Sequence, residues 1–530
     1  MNEFELKFEI PASSLKRLSA AVHAAKPQLQ SLRACYFDTA NGVLAASGLV
    51  LRLRKEGNYW VQTAKASTSN ALDRLEHNVT IEKSSSKTSS KSSAKSKAMP
   101  SIDLSRHDSE LVGKKITRAL KLSRNAPKPA LIALFETDVQ RLKFSVEHLG
   151  SIIEIALDQG MVVNGARSVA LCELEIELKE GKPEHAVALA RLWCAQYGLC
   201  LSSITKSMKG QRLHDIHLQD ISLHNSPLNN QDSAALFAIA PTFKRHANAP
   251  QIVKAVLQSC LNQVLANASE IADSSQHATH IHQLRVGIRR LRTAIDELKG
   301  LAGSMDPAWQ ASLIKVFRAL GEHREHDHLL QHLQPQLLTA GGPNLGTSLD
   351  SNTLPNLGFI VRSAEFQDTL LCIIAYVNRL DLDEKLSKNK HQQRIAKKSL
   401  VGRLDRLYLQ SIKEGKKFLT LNETQQHSVR KHFKRLRYLT EFLTPLFSGQ
   451  SSTHNTNSFI DLLKPVQDAL GLYNDELIAL QAYRKLANTD KQAWFGVGWL
   501  SARQQPNAKV CQQALNVFIK KCRKNKPFWQ

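Results

Sequence analysis

The sequence predicts an α+β chain, with antiparallel strands that close a small barrel followed by an all-α bundle carrying an internal two-fold repeat. Three observations predict it. Up to about residue 215 the chain is rich in period-two runs, the spacing of a strand whose successive side chains point to opposite faces. From about residue 248 helical periodicity takes over, broken at Gly300, Pro307, Pro335, 340–357 and 448–457, which predicts roughly eight to ten helices. Within that second part a basic segment recurs about 145 to 150 residues later.

The first strand sets the pattern. Glu3, Glu5 and Lys7 share one face, and Phe4, Leu6 and Phe8 share the other. Adjacent carboxylates repel unless something neutralises them, and a divalent cation with oxygen ligands does so while bridging to phosphate. Taken alone, the stretch reads first as a strand with one solvated face. Further period-two runs lie at 49–54, 59–65, 74–82, 135–147, 151–158 and 171–178, with helical stretches at 11–25 and 183–198. They place Arg52 with Arg54, Thr63 with Lys65, Arg74 with Glu76, Arg141 with Lys143, and Glu154 with Asp158 on shared faces. Glu173, Glu175 and Glu177 share another. An open sheet would turn these charged faces to water; a closed barrel would turn them to a lumen. Like charges at neighbouring same-face positions cost energy without a counter-charge. A lumen holding a metal and a multiply charged phosphate chain removes that cost. Residues 84–98, a Ser/Lys run with no apolar side chain larger than alanine, read as a solvated insertion.

The 530 residues predict about two to four domains. A net charge of +24 and a pI near 9.7 call for an anionic partner: nucleic acid, membrane surface or polyphosphate. The eight cysteines are scattered, with no CxxC pair, as expected for reduced thiols of a cytoplasmic protein. Neither a secretory signal nor a membrane-spanning apolar run of about 18 residues is expected.

ELKFEI, LRLR, TAK, RLE, FETDVQR, EIALDQG, CELEIEL and SITKSMKG follow one another along the chain. In that order they resemble the CYTH domain of triphosphate tunnel metalloenzymes over about residues 1–214. That family includes inorganic triphosphatases, thiamine triphosphatases and class IV adenylate cyclases. The resemblance implies an eight-stranded antiparallel tunnel, with acidic residues that hold Mg²⁺ or Mn²⁺ and basic residues that grip the triphosphate. By matching motif, the metal falls to Glu3, Glu5, Asp158, Glu175 and Glu177, and Glu173 and Glu154 are the alternatives where the register stays open. Arg52, Arg54, Lys65, Arg141 and Lys206 fall on phosphate contacts, with Arg74 and Lys143 beside them. Lys7, the lysine of the first motif, is expected to act in catalysis with Glu76 and Arg141. Lys209 stands where close relatives often carry arginine, which keeps the charge and loses the bidentate fork.

In the second part, HIHQLRVGIRRLRTAI (280–295) recurs as HSVRKHFKRLRYLTEF (427–442). His282, Arg285, Arg289 and Arg292 form one helical stripe, repeated at the same spacing by His427, Arg430, Lys434 and Arg437. Arg290 and Arg435 repeat as well. Leu284, Ile288, Leu291 and Ile295 mark the core side of the first helix, and Phe433, Leu436 and Leu443 that of the second. A solvated face would carry glutamates for pairing. These stripes carry almost none, and the duplicated cations repel unless they bind a polyanion. Each helix is followed by a matching segment, ALGEHREHD (319–327) or ALGLYND (469–475), so two related four-helix units are expected. This half resembles the CHAD domain over about 248–525, which implies binding of inorganic polyphosphate, with the histidines read as hydrogen-bond donors to phosphate. The family's Leu-Gly-x-x-Arg-Asp turn is here Leu320-Gly321-Glu322-His323-Arg324-Glu325, and its second copy lacks the arginine. Residues 215–247 are expected to link the two domains.

The expected function is metal-dependent hydrolysis of inorganic triphosphate to pyrophosphate and phosphate, with polyphosphate bound by the helical part. The alternatives are thiamine triphosphatase, nucleoside triphosphatase, class IV adenylate cyclase, or a non-enzymatic polyphosphate scaffold. Basic stripes without interleaved aromatics do not predict base recognition, so neither a specific nucleic acid nor a membrane is an expected partner.

Overall fold

The structure is a computed structural model that describes residues 2–57, 59–68, 73–81, 99–121, 129–222, 234–345, 354–380, 390–447, 452–524 and 527–529. The Ser/Lys insertion at 84–98 lies outside them. The chain divides into two compact units: Met1–Ala235 with Ala268–Ser275 and Arg362–Ala375, and Leu236–Asn267 with Gln276–Val361 and Tyr376–Gln530.

The first unit is built on a sheet of β1 (Asn2–Glu9), β2 (Gln28–Asp38), β3 (Leu49–Glu56), β4 (Tyr59–Ser67), β5 (Asp73–Ile81), β6 (Ile132–His148), β7 (Ser151–Asn164), β8 (Arg167–Glu180) and the short β9 (Cys200–Leu201). Strand β1 pairs antiparallel with both β5 and β8, and this closes the sheet in the order β1-β5-β4-β3-β2-β6-β7-β8. β9 pairs with the end of β1. Seven of the eight barrel strands coincide with the period-two runs. The eighth, β2, escapes that pattern because Ala34, Cys35 and Tyr36 are buried in succession, one face after the other.

The apolar rows face outward. Leu6, Phe8, Leu51, Leu53, Ile155, Leu157, Leu174 and Ile176 are all buried there. Helix α1 (Ala12–Ala24) packs against α4 (Pro183–Tyr197), which lies over β1, β6, β7 and β8. The short α2 (Val43–Ala46) and α3 (Leu111–Ala119) close a second apolar layer, in which Leu44, Val112 and Ile116 meet Leu49, Leu51 and Ala64. With the outside sealed, the charged faces line the lumen. At one end the lumen turns apolar, where Leu32, Ala34, Tyr36, Phe135, Val139, Val162 and Leu171 cluster. Helix α5 (Lys206–Ser222) packs against β6, β7 and β8. It begins before the segment expected as linker.

Gly210 is what lets α5 sit so close. A Cβ at that position would lie 2.1 Å from the Phe135 ring. Gly210→Ala should therefore destabilise the barrel by about 1–3 kcal/mol through overpacking, a loss readable in a thermal melt.

The chain after α5 is helical. It runs through α6 (Ala249–Ala272), α7 (Ala278–Leu298), α8 (Ala308–His328), α9 (Gln334–Thr339), α10 (Leu357–Val361), α11 (Ala364–Arg379), α12 (Lys390–Gly415), α13 (Glu423–Leu443), α14 (Ser452–Leu486) and α15 (Ala493–Lys524), of which the end of α6 and most of α11 belong to the first unit. The two basic segments are α7 and α13. Asn422 starts α13 with a capping box shared with Gln425, and His277 accepts from the Thr279 N–H at the start of α7. The core rows fall where the sequence puts them: Leu284, Ile288, Leu291, Phe433, Leu436 and Leu443 are fully buried. Arg290 and Arg435 part company. Arg290 is buried with its guanidinium 5.3 Å from the Phe442 ring, whereas Arg435 pairs with Glu297. The segment expected as a turn at Leu320–Glu325 is continuous helix within α8, because every residue in it, Gly321 included, extends the helical run to His328.

All eight cysteines are free. Among the described residues, no helix is long and apolar enough to cross a membrane.

Candidate functional site

The barrel lumen gathers charge from seven strands and α5. Register places Glu5 opposite Glu177 and Lys7 opposite Glu175 across β1 and β8, and Glu3 opposite Arg74 across β1 and β5. The Glu3 side chain lies outside the described ones.

On one side the charges are neutralised. Arg141 forks onto Asp158, with Nε–Oδ1 at 2.6 Å and Nη2–Oδ2 at 2.7 Å, and also donates to Glu175 Oε2. Lys206 reaches in from the first residue of α5. Its Nζ meets Asp158 Oδ2 at 2.8 Å, Glu175 Oε1 at 2.7 Å and Glu173 Oε1. One carboxylate oxygen from each of Asp158, Glu173 and Glu175 lies within 4.8 Å of the other two. Burial works against these charges, but the pairing wins. Glu175 is held well below the usual carboxylate range by Arg141 and Lys206. Lys206 is held well above the usual lysine range by Glu173, Glu175 and Asp158.

On the other side burial dominates. Burial pushes the Glu5 carboxyl up, and Glu175 adds to the shift. Burial pushes the Lys7 ammonium down. Lys7 is 7% exposed and its Nζ has no hydrogen-bond partner, the Glu173 carboxylate standing 3.8 Å away. Arg52 is 9% exposed; its Nη1 donates to the Tyr36 hydroxyl at 3.3 Å, and its Nε has no partner. Two buried cations with unfilled donors are a debt that an anion in the lumen would settle.

Around them the remaining residues pair locally. Lys65 pairs with Glu76, Lys143 with Glu154 at 3.2 Å, and Arg54 Nε with Glu56 at 2.6 Å. Lys179 bridges Glu177 at 2.6 Å and Glu154 at 3.3 Å. The acids expected to act as one set therefore divide. Asp158 and Glu175 join Glu173, while Glu177 faces Glu5 and leans on Lys179. Three participants escaped the sequence reading. Tyr36 lies on the unread strand, Lys179 ends a strand face read as acidic, and Glu56 follows the arginine pair.

A second cationic site lies in the helical unit, where α7 and α13 run alongside each other. The Arg285 and Arg289 guanidinium carbons lie 4.4 and 5.1 Å from the centre of the Phe317 ring. Arg285 Nη1 donates to the Phe317 carbonyl at 3.0 Å. Gly321 leaves room for this group, since a Cβ there would lie 2.5 Å from Arg285 Nη1. In the second copy, His427 Nδ1 donates to Asn474 Oδ1 at 2.8 Å and Arg430 lies 3.8 Å from Asp475. Arg430 Nε has no partner. The far ends are pinned alike: Arg292 Nε donates to Gln310 Oε1 at 3.0 Å, and Arg437 Nη1 to Gln467 Oε1 at 3.0 Å. Mutual repulsion shows that the stripes converge. Burial, with Arg289 and Arg430, pushes Lys434 down to about 6. Burial, with Arg324 and Arg289, pushes His282 down to about 4. Burial, with Arg289 first among the charges, lowers Arg285 and Arg430 to about 10 each.

Comparison with known proteins follows this division. A CYTH domain model matches residues 1–210 and a CHAD domain model residues 255–484. A curated inorganic triphosphatase of Haemophilus influenzae is 25% identical over 219 residues, which cover 40% of this chain and 55% of that protein. The chain thus spans about half the length of that relative. Among solved structures, the CHAD domain from the plant Ricinus communis is 22% identical, covers 53% of this chain and 96% of its own, and has a TM-score of 0.38. A putative adenylate cyclase from Bacillus halodurans is 21% identical, covers 37% and 89%, and has a TM-score of 0.25. The chain is a CYTH–CHAD protein, with a CYTH domain at its N-terminal end and a CHAD domain after it.

Proposed function

We propose that the barrel hydrolyses inorganic triphosphate to pyrophosphate and phosphate with a divalent metal, and that the helical unit binds inorganic polyphosphate. The observation that carries the reading is the pair of buried cations with unfilled donors, Lys7 and Arg52, in the same closed lumen as Glu5, whose carboxyl burial pushes up. The H. influenzae relative, named as an inorganic triphosphatase, supports the choice of reaction.

The residues fit a hard cation. Glu5 and Glu177 are like charges directly across a strand pair, a destabilising arrangement that oxygen-seeking Mg²⁺ or Mn²⁺ relieves. Glu3, Glu5 and Glu177 would hold it, and when bound it supplies positive charge to the phosphate oxygens. The chain's own residues position the substrate. Lys7 and Arg52 have free donors for non-bridging oxygens, and Arg54 and Arg74 extend the cationic wall on β3 and β5. Arg141 is fixed by Asp158 and Glu175, so it contributes field more than a mobile grip. Water adds to a terminal phosphorus as the bond to the bridging oxygen breaks, and pyrophosphate leaves. Most of the catalysis is then positioning and electrostatic stabilisation. Phosphate release from tripolyphosphate should stop on chelation with EDTA and return with added Mg²⁺ or Mn²⁺. Release that continues in EDTA would refute the reading.

On the helical unit, the stripes repel one another until a polyanion arrives. Lys434, near 6 in the free protein, is mostly neutral at pH 7. A bound polyanion raises its pKa, so binding takes up a proton. Affinity should therefore weaken as pH rises above about 6, by up to about tenfold per unit for one linked proton. Below pH 6 Lys434 is already charged, and the dependence that remains belongs to His282, which burial with Arg324 and Arg289 pushes down to about 4. Fluorescence anisotropy with labelled polyphosphate between pH 5 and 9 checks this.

A further inference from the structure

The barrel closes on a short edge. β1 pairs with β5 through Asn2–Phe4 and with β9 through Phe8 and Glu9, so β9 ends the sheet order. Along an antiparallel edge, successive N–H groups point to opposite sides. The Ser202 N–H points inward and bonds the Lys7 carbonyl at 2.8 Å. The Leu201 and Ser203 N–H groups point the other way, where no described strand pairs with them. Two side chains from far along the chain take these donors. Gln367 Oε1 accepts from Leu201 at 2.9 Å, and Ser269 Oγ accepts from Ser203 at 2.9 Å. Gln367 is 2% exposed and Ser269 is 0% exposed, so an edge donor left by either is cut off from water. Two residues on, Thr205 Oγ1 accepts from the Met208 N–H at 3.1 Å and caps α5. Lys206 is the first residue of that helix, and its ammonium meets the acids of the lumen. The CYTH match ends at residue 210, yet Ser269 and Gln367 lie in the stretch matched as CHAD, within the segments Ala268–Ser275 and Arg362–Ala375 of the first unit. The same segments hold α5 and β1 by other bonds. Glu270 accepts from Arg212 at 2.5 Å, Asp273 lies 3.8 Å from Lys209, and Arg362 donates to Glu9 Oε2 at 2.7 Å and to the Ala272 carbonyl at 2.6 Å.

We infer that Gln367 and Ser269 are positioning residues of the triphosphate site: they fix the backbone of 201–203 and, through it, where Lys206 enters the lumen. This rests on the reading of the barrel as a triphosphatase. Lys206 keeps the role expected of it at the phosphate, and the two residues set where its ammonium stands. Sequence matched as CHAD thus completes the wall of the CYTH barrel.

The test is a double-mutant cycle on the full chain, read as kcat/KM for tripolyphosphate with Mg²⁺. Gln367→Met with Ser269→Ala removes both acceptors and changes little of the packing. The pair should lose about tenfold, the scale of two lost hydrogen bonds. On a Lys206→Met background the same pair should cost less than about twofold, because its effect passes through Lys206. A pair that only supported the fold would cost the same on both backgrounds. Amide hydrogen exchange over residues 200–208 should also speed in the pair variant. An equal loss on both backgrounds, or unchanged exchange, overturns the inference. If the pair does not fold, as judged by its melt, Gln367→Met alone is put through the same cycle. If Lys206→Met is too slow to assay, the exchange result decides. A wild type inert to tripolyphosphate overturns the triphosphatase reading instead, and exchange over 200–208 then decides the hold on Lys206 by itself.

Discussion

Glu5→Gln should lose metal-dependent triphosphate hydrolysis by at least about 100-fold in kcat/KM, which is about 2.7 kcal/mol of transition-state stabilisation, while the protein stays folded. The change keeps shape and removes one charge. Burial and Glu175 push the Glu5 carboxyl up, against the pull of Lys65, Arg74 and Lys206. The amide removes a desolvated anion from the lumen, so the melting temperature should hold or rise. It also removes a hard oxygen ligand opposite Glu177. The combination is diagnostic. A residue that only supported the fold would cost stability together with activity. Steady-state kinetics over a range of Mg²⁺, with a thermal melt of the same sample, separates the two. Near-normal turnover would remove Glu5 from the site.

Arg289→Glu should weaken polyphosphate binding by about 100-fold or more at low salt, equivalent to about 2.7 kcal/mol. Arg289 is the cation common to the whole cluster. It lowers the pKa of His282, Arg285, Arg292, His427, Arg430 and Lys434, which come from both helices. Reversing its sign replaces a charge-assisted contact with repulsion of the ligand. It also relieves the neighbours, so Lys434 should regain its proton near neutral pH and the pH dependence of wild type should flatten. Asp475 is already close to Arg430 on the second stripe, so Arg430→Glu should cost less than Arg289→Glu. Titration of both variants with labelled polyphosphate checks the order.

Most of the barrel was legible because charge patterning on strands is a local signal. Like charges two residues apart on β1, β3, β6 and β8 announce an enclosed, neutralised surface, and the alternation names the residues. Strand β2 was not legible, because the succession Ala34–Cys35–Tyr36 faces apolar surroundings on both sides and shows no period of two. Tyr36, the hydroxyl beside Arg52, was lost with it. Which acid joins which cation was also beyond the sequence. That depends on ladder register between β7 and β8, where Asp158 pairs with Glu173 and Ala156 with Glu175, and on where α5 docks. Lys206 shows the limit. Its motif points to phosphate, but its contacts are three carboxylates from strands 31 to 48 residues earlier in the chain. In the helical unit, the spacing His-x-x-Arg-x-x-x-Arg disclosed the stripes. It did not disclose the Phe317 ring under two guanidinium groups or Gly321 making space for one of them, because both come from the next helix.

A lumen that takes an inorganic triphosphate chain should discriminate among phosphate substrates. The direct measurement is phosphate release from tripolyphosphate, thiamine triphosphate, ATP and long-chain polyphosphate, each at matched concentration with Mg²⁺ or Mn²⁺. Tripolyphosphate should show the highest kcat/KM, with pyrophosphate and phosphate formed in equal amounts. A wide preference for ATP or thiamine triphosphate would contradict it.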